Sequence, residues 1–257
     1  MSLLRVREQH QNSVESKRIR AQQILEALRQ RLSIRDEDFA ALCIAKESYD
    51  PFRVLVVTIL SQNCTDIAAL RAYRTLDQQV GVNAFTLSRT RPREIAKAIH
   101  AAGLHKQKAK GLMRLSRILV ENYSGNLNRV LNRPLNQART LLQELPQVGP
   151  KTADVLLSVW GRPTISVDTH VNRVSKRLGL VRQKAGYEEI RATLMKLYRP
   201  ENYRSVPLLF MAHGRKLCKA PKPRCFECPI EKMCPYQKKI LGAKNAQKRL
   251  TALPPTR

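Results

Sequence analysis

135-LNQARTLLQELPQVGPKTADVLLSVW-160 holds two helical patterns with almost nothing between them. Leu135, Ala138, Leu141, Leu142 and Leu145 recur at helical spacing, and Val155, Leu156 and Val159 do so again after Pro150. Only Pro146, Gln147, Val148 and Gly149 join the two runs. Pro150 suits a first helical position, because the N–H it lacks would have no partner there. The stretch reads as a helix-turn-helix hairpin. Successive N–H groups of a tight turn, here Gln147, Val148 and Gly149, form a concavity for an anion, and the following helix adds its dipole. Such a hairpin grips a phosphate without reading sequence. The plainer alternative is an ordinary corner with a glycine cap. Lys151 stands in the first turn of the second helix, the end that disfavours a cation. An amine that gives up its proton can act as a nucleophile and form a Schiff base. The plainer role is a solvated lysine paired with a phosphate.

Outward from the hairpin the chain is helical. Residues 15–32 carry Ile19, Ile24, Leu25 and Leu28 among charges. FRVLVVTIL (52–60) is apolar throughout, so periodicity does not separate strand from helix; its helical neighbours favour helix. Pro92 opens a helix that Gly103 closes, and residues 106–123 place Leu112, Leu115, Leu119 and Tyr123 on one side. Residues 167–180 form a helix with Asp168 as N-cap, Val171, Val174 and Leu178 as its stripe, and Gly179 at its end. Residues 187–198 and 203–217 are again helical. No alternating strand pattern appears, so the fold class is all-α.

The 257 residues suffice for one large or two small domains, and 43% apolar content supports a true core. Lys and Arg number 47 against 20 Asp and Glu, a formal charge of +27. That excess predicts a polyanionic partner, nucleic acid first. The segment after Cys234 carries Lys238, Lys239, Lys244, Lys248 and Arg249 with no acidic residue. There is no apolar run long enough to span a membrane. The first twenty residues lack an apolar signal core and include Glu8 and Glu15. A cytoplasmic or nucleoid location is expected.

Without a secretion signal, disulfides are a poor reading of the six cysteines. Cys218-x6-Cys225-x2-Cys228-x5-Cys234 offers four thiolates from one loop, which suits either a zinc ion or a [4Fe–4S] cluster. The loop between the first two adds Lys219, Lys222 and Arg224, a basic surface for a DNA backbone. Cys43 and Cys64 read as packed thiols. Asp168 is a cap by default; a fixed anion at a helix start can also stabilise positive charge developing on a sugar.

DPFRVLVVTILSQNCTD (50–66), AAGLHKQKA (101–109), LPQVGPKTAD (145–154), ISVDTHVNRV (165–174), HGRKLC (213–218) and the cysteine loop occur in the order found in one family. The chain resembles the endonuclease III family of helix-hairpin-helix DNA glycosylases over roughly residues 44–235. The resemblance implies a two-domain all-α fold with a DNA cleft between the domains. A six-helix domain would span 44–163. The cluster domain, 164–235, would pack with an N-terminal helical extension, 1–43, and a basic tail would cover 236–257. It implies [4Fe–4S] rather than zinc. It implies excision of damaged pyrimidines from duplex DNA after base flipping, Lys151 attacking C1′, Asp168 assisting, and β-elimination at the abasic site. Side chains from two loops would fill the gap left by the flipped base: Asn63 with neighbouring Gln62 at one, and Leu104 beside His105 at the other. A monomer acting on double-stranded DNA is expected, with no membrane. The chain departs from the family at Gln147, where glycine is usual, and at Asn63, where glutamine is frequent. His100 and Trp160 read as structural.

Two other functions fit parts of the pattern. Mismatch uracil or thymine glycosylases of the same superfamily usually lack the lysine at position 151. A non-enzymatic DNA-binding protein braced by a cluster would explain the charge, hairpin and cysteines, but not Lys151 together with Asp168.

Overall fold

The computed structural model describes residues 3–236, and side chains over residues 14–236. The described residues form thirteen α-helices and no strand: α1 (Leu3–Arg31), α2 (Ala40–Ser48), α3 (Pro51–Leu60), α4 (Asp66–Gln79), α5 (Ala84–Arg89), α6 (Pro92–Ala98), α7 (His105–Tyr123), α8 (Asn128–Leu131), α9 (Leu135–Glu144), α10 (Pro150–Val159), α11 (Thr169–Arg177), α12 (Tyr187–Leu197) and α13 (Ser205–Lys216). They divide into two compact units, one of Ile34–Ser166 and one joining the segment up to Ser33 to that from Val167 on. Apart from Tyr236, the basic tail of 236–257 lies outside the described residues.

The unit of Ile34–Ser166 is built around α3. Every residue of that helix except Arg53 is buried, as expected of a helix apolar on all sides. Asp50 starts it by accepting the Phe52 N–H at 2.9 Å, with Pro51 in the first turn. Arg53 forks onto Asp77 at 2.9 and 2.8 Å, so the one charge on this helix is paired. Helices α2, α4, α7 and α10 pack on α3. The periodicity did not disclose α2, α4, α5 or α8, which are short or rich in small and charged residues. Thr65 and Asn83 cap α4 and α5 through the N–H groups of Ala68 and Thr86.

Two expectations are corrected here. The helix opened by Pro92 ends at Ala98, not Gly103; a 3-10 turn, His100–Ala102, follows because Ile99, Ala102 and Ile95 all bury in the core. The inward face of α10 is Ala153, Leu156 and Leu157, with Val155 and Val159 only partly covered.

In the other unit α1 packs on α12 and α13, and α11 packs on α13. Ala21, Ile24, Leu25 and Leu28 form the buried stripe of α1; Ile19 is exposed, contrary to expectation. Gln22 donates to the Leu197 carbonyl at 3.2 Å and Arg20 to that of Leu178, tying α1 to the ends of α12 and α11. Gly179, at φ 67°, takes the left-handed turn that ends α11.

Candidate nucleic-acid interface and active site

The hairpin is formed by α9 and α10 with the turn between them. It is cross-braced: Arg139 of α9 meets Asp154 of α10 through two hydrogen bonds of 3.0 Å, and Thr164 donates to the same carboxylate at 2.8 Å. Asp154 is fully buried, so this is an ion pair inside the unit and not a surface contact. In the turn, Val148 is buried and its N–H donates to Leu145 at 3.1 Å. Its amide therefore faces inward. The backbone N–H groups of Gly149, Lys151 and Thr152 have no protein acceptor among the described residues. They point the anion-binding role to the start of α10, where the positive end of the helix lies.

Gln147 adopts φ 67°, the left-handed conformation that glycine takes without strain. The turn thus keeps a glycine-like shape with a side chain attached. Room for that side chain comes from Gly111 in α7. A Cβ there would fall 2.2 Å from Gln147 Cγ. Sequence reading passed over Gly111, because a lone glycine inside a helical pattern looks only like a weak position.

Lys151 is exposed on the first turn of α10, and its ammonium has no hydrogen bond or ion pair among the described residues. Its nearest acid along the helix, Asp154, is held by Arg139.

Two turns beside the hairpin carry the other expected contacts. Asn63 follows α3, is exposed and has φ 52°; Leu104 precedes α7, is 56% exposed and has φ 47°. Gln62 does not face solvent as Asn63 does. Its amide donates to the Gln147 carbonyl at 2.9 Å and to the Thr152 hydroxyl at 3.1 Å. His105 is half-buried with its ring centroid 4.8 Å from that of His100. Between the two turns lies Lys108, another residue that the sequence did not single out. It is buried, and burial pushes its ammonium pKa down.

Asp168, in the second unit, caps α11 by accepting the Val171 N–H at 2.7 Å through Oδ1. Oδ2 has no hydrogen bond among the described residues, so one oxygen is structural and the other is available. Gly214 of α13 leaves α11 space to approach, since a Cβ there would lie 2.9 Å from His170. Arg173, one turn beyond, donates to the carbonyls of Cys218 and Gly214, both at 2.9 Å.

The four loop cysteines line one cavity, together with Arg177, His213, Leu217 and Tyr236. Arg177 donates to the carbonyls of Lys219 and Ala220 at 2.7 and 2.8 Å and approaches Cys218 Sγ at 3.4 Å. Burial first, then the neighbouring thiols, push the Cys225 and Cys228 thiols up, Cys228 to about 11. Such crowded thiols ionise together only when a cationic centre compensates them. No three Cys, His, Asp or Glu side chains among the described residues are grouped as ligands of a single metal ion. On the loop surface Lys219 and Lys222 are exposed, whereas Arg224 is engaged by Glu227 at 2.8 Å. Among the described residues no helix is long and apolar enough to cross a membrane.

Comparison with known proteins agrees with this arrangement. Residues 56–200 match the HhH-GPD superfamily of base excision DNA repair proteins. The chain is 39% identical over 186 residues to endonuclease III of Bacillus subtilis strain 168, covering 72% of this chain and 81% of that protein. It is 35% identical over 191 residues to endonuclease III of Thermotoga maritima, covering 74% and 85%. A trapped endonuclease III–DNA covalent intermediate, solved as an estranged-adenine complex, aligns with TM-score 0.67 and 34% identity over 75% of this chain and 86% of that one. With its all-α fold and its hairpin inside the matched region, the chain belongs to the HhH-GPD superfamily of base excision DNA repair proteins and, within it, to the endonuclease III family.

Proposed function

We propose that this enzyme removes damaged pyrimidines from duplex DNA and then cleaves the strand at the abasic site, with Lys151 as the nucleophile. The observation that carries this is the state of Lys151: exposed, without a partner among the described residues, and set beside N–H groups at the start of α10 that likewise have none among them. Those N–H groups and the helix dipole hold a phosphate of the strand beside the lysine. The neutral amine attacks C1′ of the flipped nucleotide, and the base leaves with the electrons of the glycosidic bond. The nitrogen gives up one of its protons, and its lone pair then opens the sugar ring to a protonated Schiff base as O4′ departs and takes up a proton. Loss of a C2′ proton then expels the 3′ phosphate. Water hydrolyses the Schiff base and returns the amine. Asp168, with Oδ1 held by Val171, offers Oδ2 to the positive charge that develops on the sugar.

Asn63 and Leu104, exposed at the tips of their turns, occupy the space vacated by the flipped base. Lys219 and Lys222 add phosphate contacts from the cysteine loop. Cys218, Cys225, Cys228 and Cys234 would hold a [4Fe–4S] cluster: four thiols around one cavity supply the thiolate set such a centre takes. When bound, the cluster supplies a covalent brace that fixes the basic loop.

The test is borohydride trapping. Wild type and Lys151→Ala are incubated with duplexes carrying an abasic site or an oxidised pyrimidine. A covalent adduct with wild type on both duplexes, absent in the variant, is the expected result. No adduct with either duplex, despite tight binding, would remove Lys151 from catalysis and leave a monofunctional glycosylase or a binding protein.

A further inference from the structure

Lys108 is 2% exposed, and no carboxylate among the described residues is hydrogen-bonded to it. Lysine is almost never fully buried without a partner. Here the partners are three carbonyls. The ammonium donates to Leu60 at 2.8 Å, Gln62 at 2.8 Å and Ala102 at 2.7 Å. Three N–H groups meet three acceptors, which leaves no donor free.

The identity of the carbonyls is what matters. Leu60 is the last residue of α3, whose terminal carbonyls attract a cation. Gln62 directly precedes Asn63, and Ala102 stands two residues before Leu104. One buried charge therefore ties together the bases of both exposed tips. The tips are themselves in the left-handed region, at φ 52° and 47°. For leucine that is a strained conformation, which persists only where the surroundings over-determine it. The network extends one step further. The Gln62 side chain donates to Gln147 and Thr152, and Thr152 directly follows Lys151.

We infer that Lys108 is a positioning residue. With Gln62 it holds the hairpin and the turns carrying Asn63 and Leu104 in one register, so that both tips enter the duplex together while the hairpin keeps its phosphate. The inference rests on the reading above in which Asn63 and Leu104 fill the gap. Removing the ammonium leaves three carbonyls without their donor and costs stability in either case, so stability alone does not distinguish a positioning role.

The experiment compares wild type, Lys108→Gln, Gln62→Ala, Asn63→Ala and Leu104→Ala. The probe is 2-aminopurine placed opposite a tetrahydrofuran abasic analogue, whose fluorescence rises when its own base is displaced. Single-turnover excision of an oxidised pyrimidine is measured beside it, with the active fraction set by borohydride trapping. Lys108→Gln is expected to lose the fluorescence rise at saturating protein and to slow excision per active molecule by about tenfold, the scale of a small misplacement. Gln62→Ala shows the same pattern more weakly. A purely structural role lowers the active fraction and leaves the rate constant and fluorescence of the active molecules unchanged; that result overturns the inference. Where Lys108→Gln does not fold, Gln62→Ala decides, because it removes only a half-buried amide. Fluorescence that persists in both Asn63→Ala and Leu104→Ala means instead that the gap-filling reading has failed, and the inference falls with it.

Discussion

Replacing Gly111 by alanine tests how the hairpin turn is accommodated. Gly111 is buried inside α7, and glycine to alanine within a helix ordinarily gains about 1 kcal/mol. Here the new methyl would stand 2.2 Å from Gln147 Cγ and 3.0 Å from its Cδ. The glutamine must leave, and overpacking of this kind costs about 1–3 kcal/mol. The single variant is therefore neutral or destabilised by up to about 2 kcal/mol, the difference of those two terms. Removing the glutamine removes the obstacle. Gln147→Gly also relieves a non-glycine residue at φ 67°, a conformation that costs roughly 1–2 kcal/mol for a residue bearing a Cβ. In that background Gly111→Ala gains its full amount of about 1 kcal/mol, so the two sites couple by at least ~1 kcal/mol. Urea unfolding of the four proteins measures the cycle. Each 1 kcal/mol also moves Tm by about 2–4 °C for a chain of this size. Equal effects of Gly111→Ala in both backgrounds would refute the claim that Gln147 packs on the bare backbone of α7.

Arg139→Leu leaves Asp154 buried with the pair broken, and a loss of about 3–5 kcal/mol is expected in denaturant unfolding; a loss under ~1 kcal/mol would mean that α9 and α10 do not depend on this brace. Lys222→Ala lowers the slope of log affinity against log salt by ~0.9, the value for one lost phosphate contact on duplex DNA, whereas Arg224→Ala changes it less because Glu227 already neutralises Arg224. Equal slopes for all three proteins would remove Lys222 from the interface. Protein purified without oxygen is expected to be brown, with iron and sulfide in about fourfold excess over chain, the composition of one [4Fe–4S] centre; a colourless protein with one zinc per chain would overturn the cluster.

Local signals carried much of this protein. The hairpin was legible because apolar spacing, Pro150 and Gly149 act within one or two helical turns. Asp168 was legible as a cap because its partner, the Val171 N–H, is three residues away. The cysteine spacing singled out, without any knowledge of packing, four thiols that the fold brings around one cavity. The resemblance then added the expectation of a [4Fe–4S] centre and of lysine chemistry, neither of which spacing could choose.

What tertiary structure alone decided involves partners far apart in the chain. In HKQKAK (105–110) the lysines look alike, yet Lys108 reaches carbonyls 48 and 46 residues away while Lys106 and Lys110 are exposed. Gln62 read as the neighbour of Asn63 at a gap-filling loop, and its amide is bonded to Gln147 and Thr152 across 85 and 90 residues. Nothing in the sequence set Gly111 apart, because the side chain filling its space comes from residue 147. Ile19 looked buried, and Arg224 looked free. Backbone preference and periodicity belong to neighbouring residues, so sequence displays them. Which face is covered, and which charge is already paired, depends on contacts that exist only after the helices have packed.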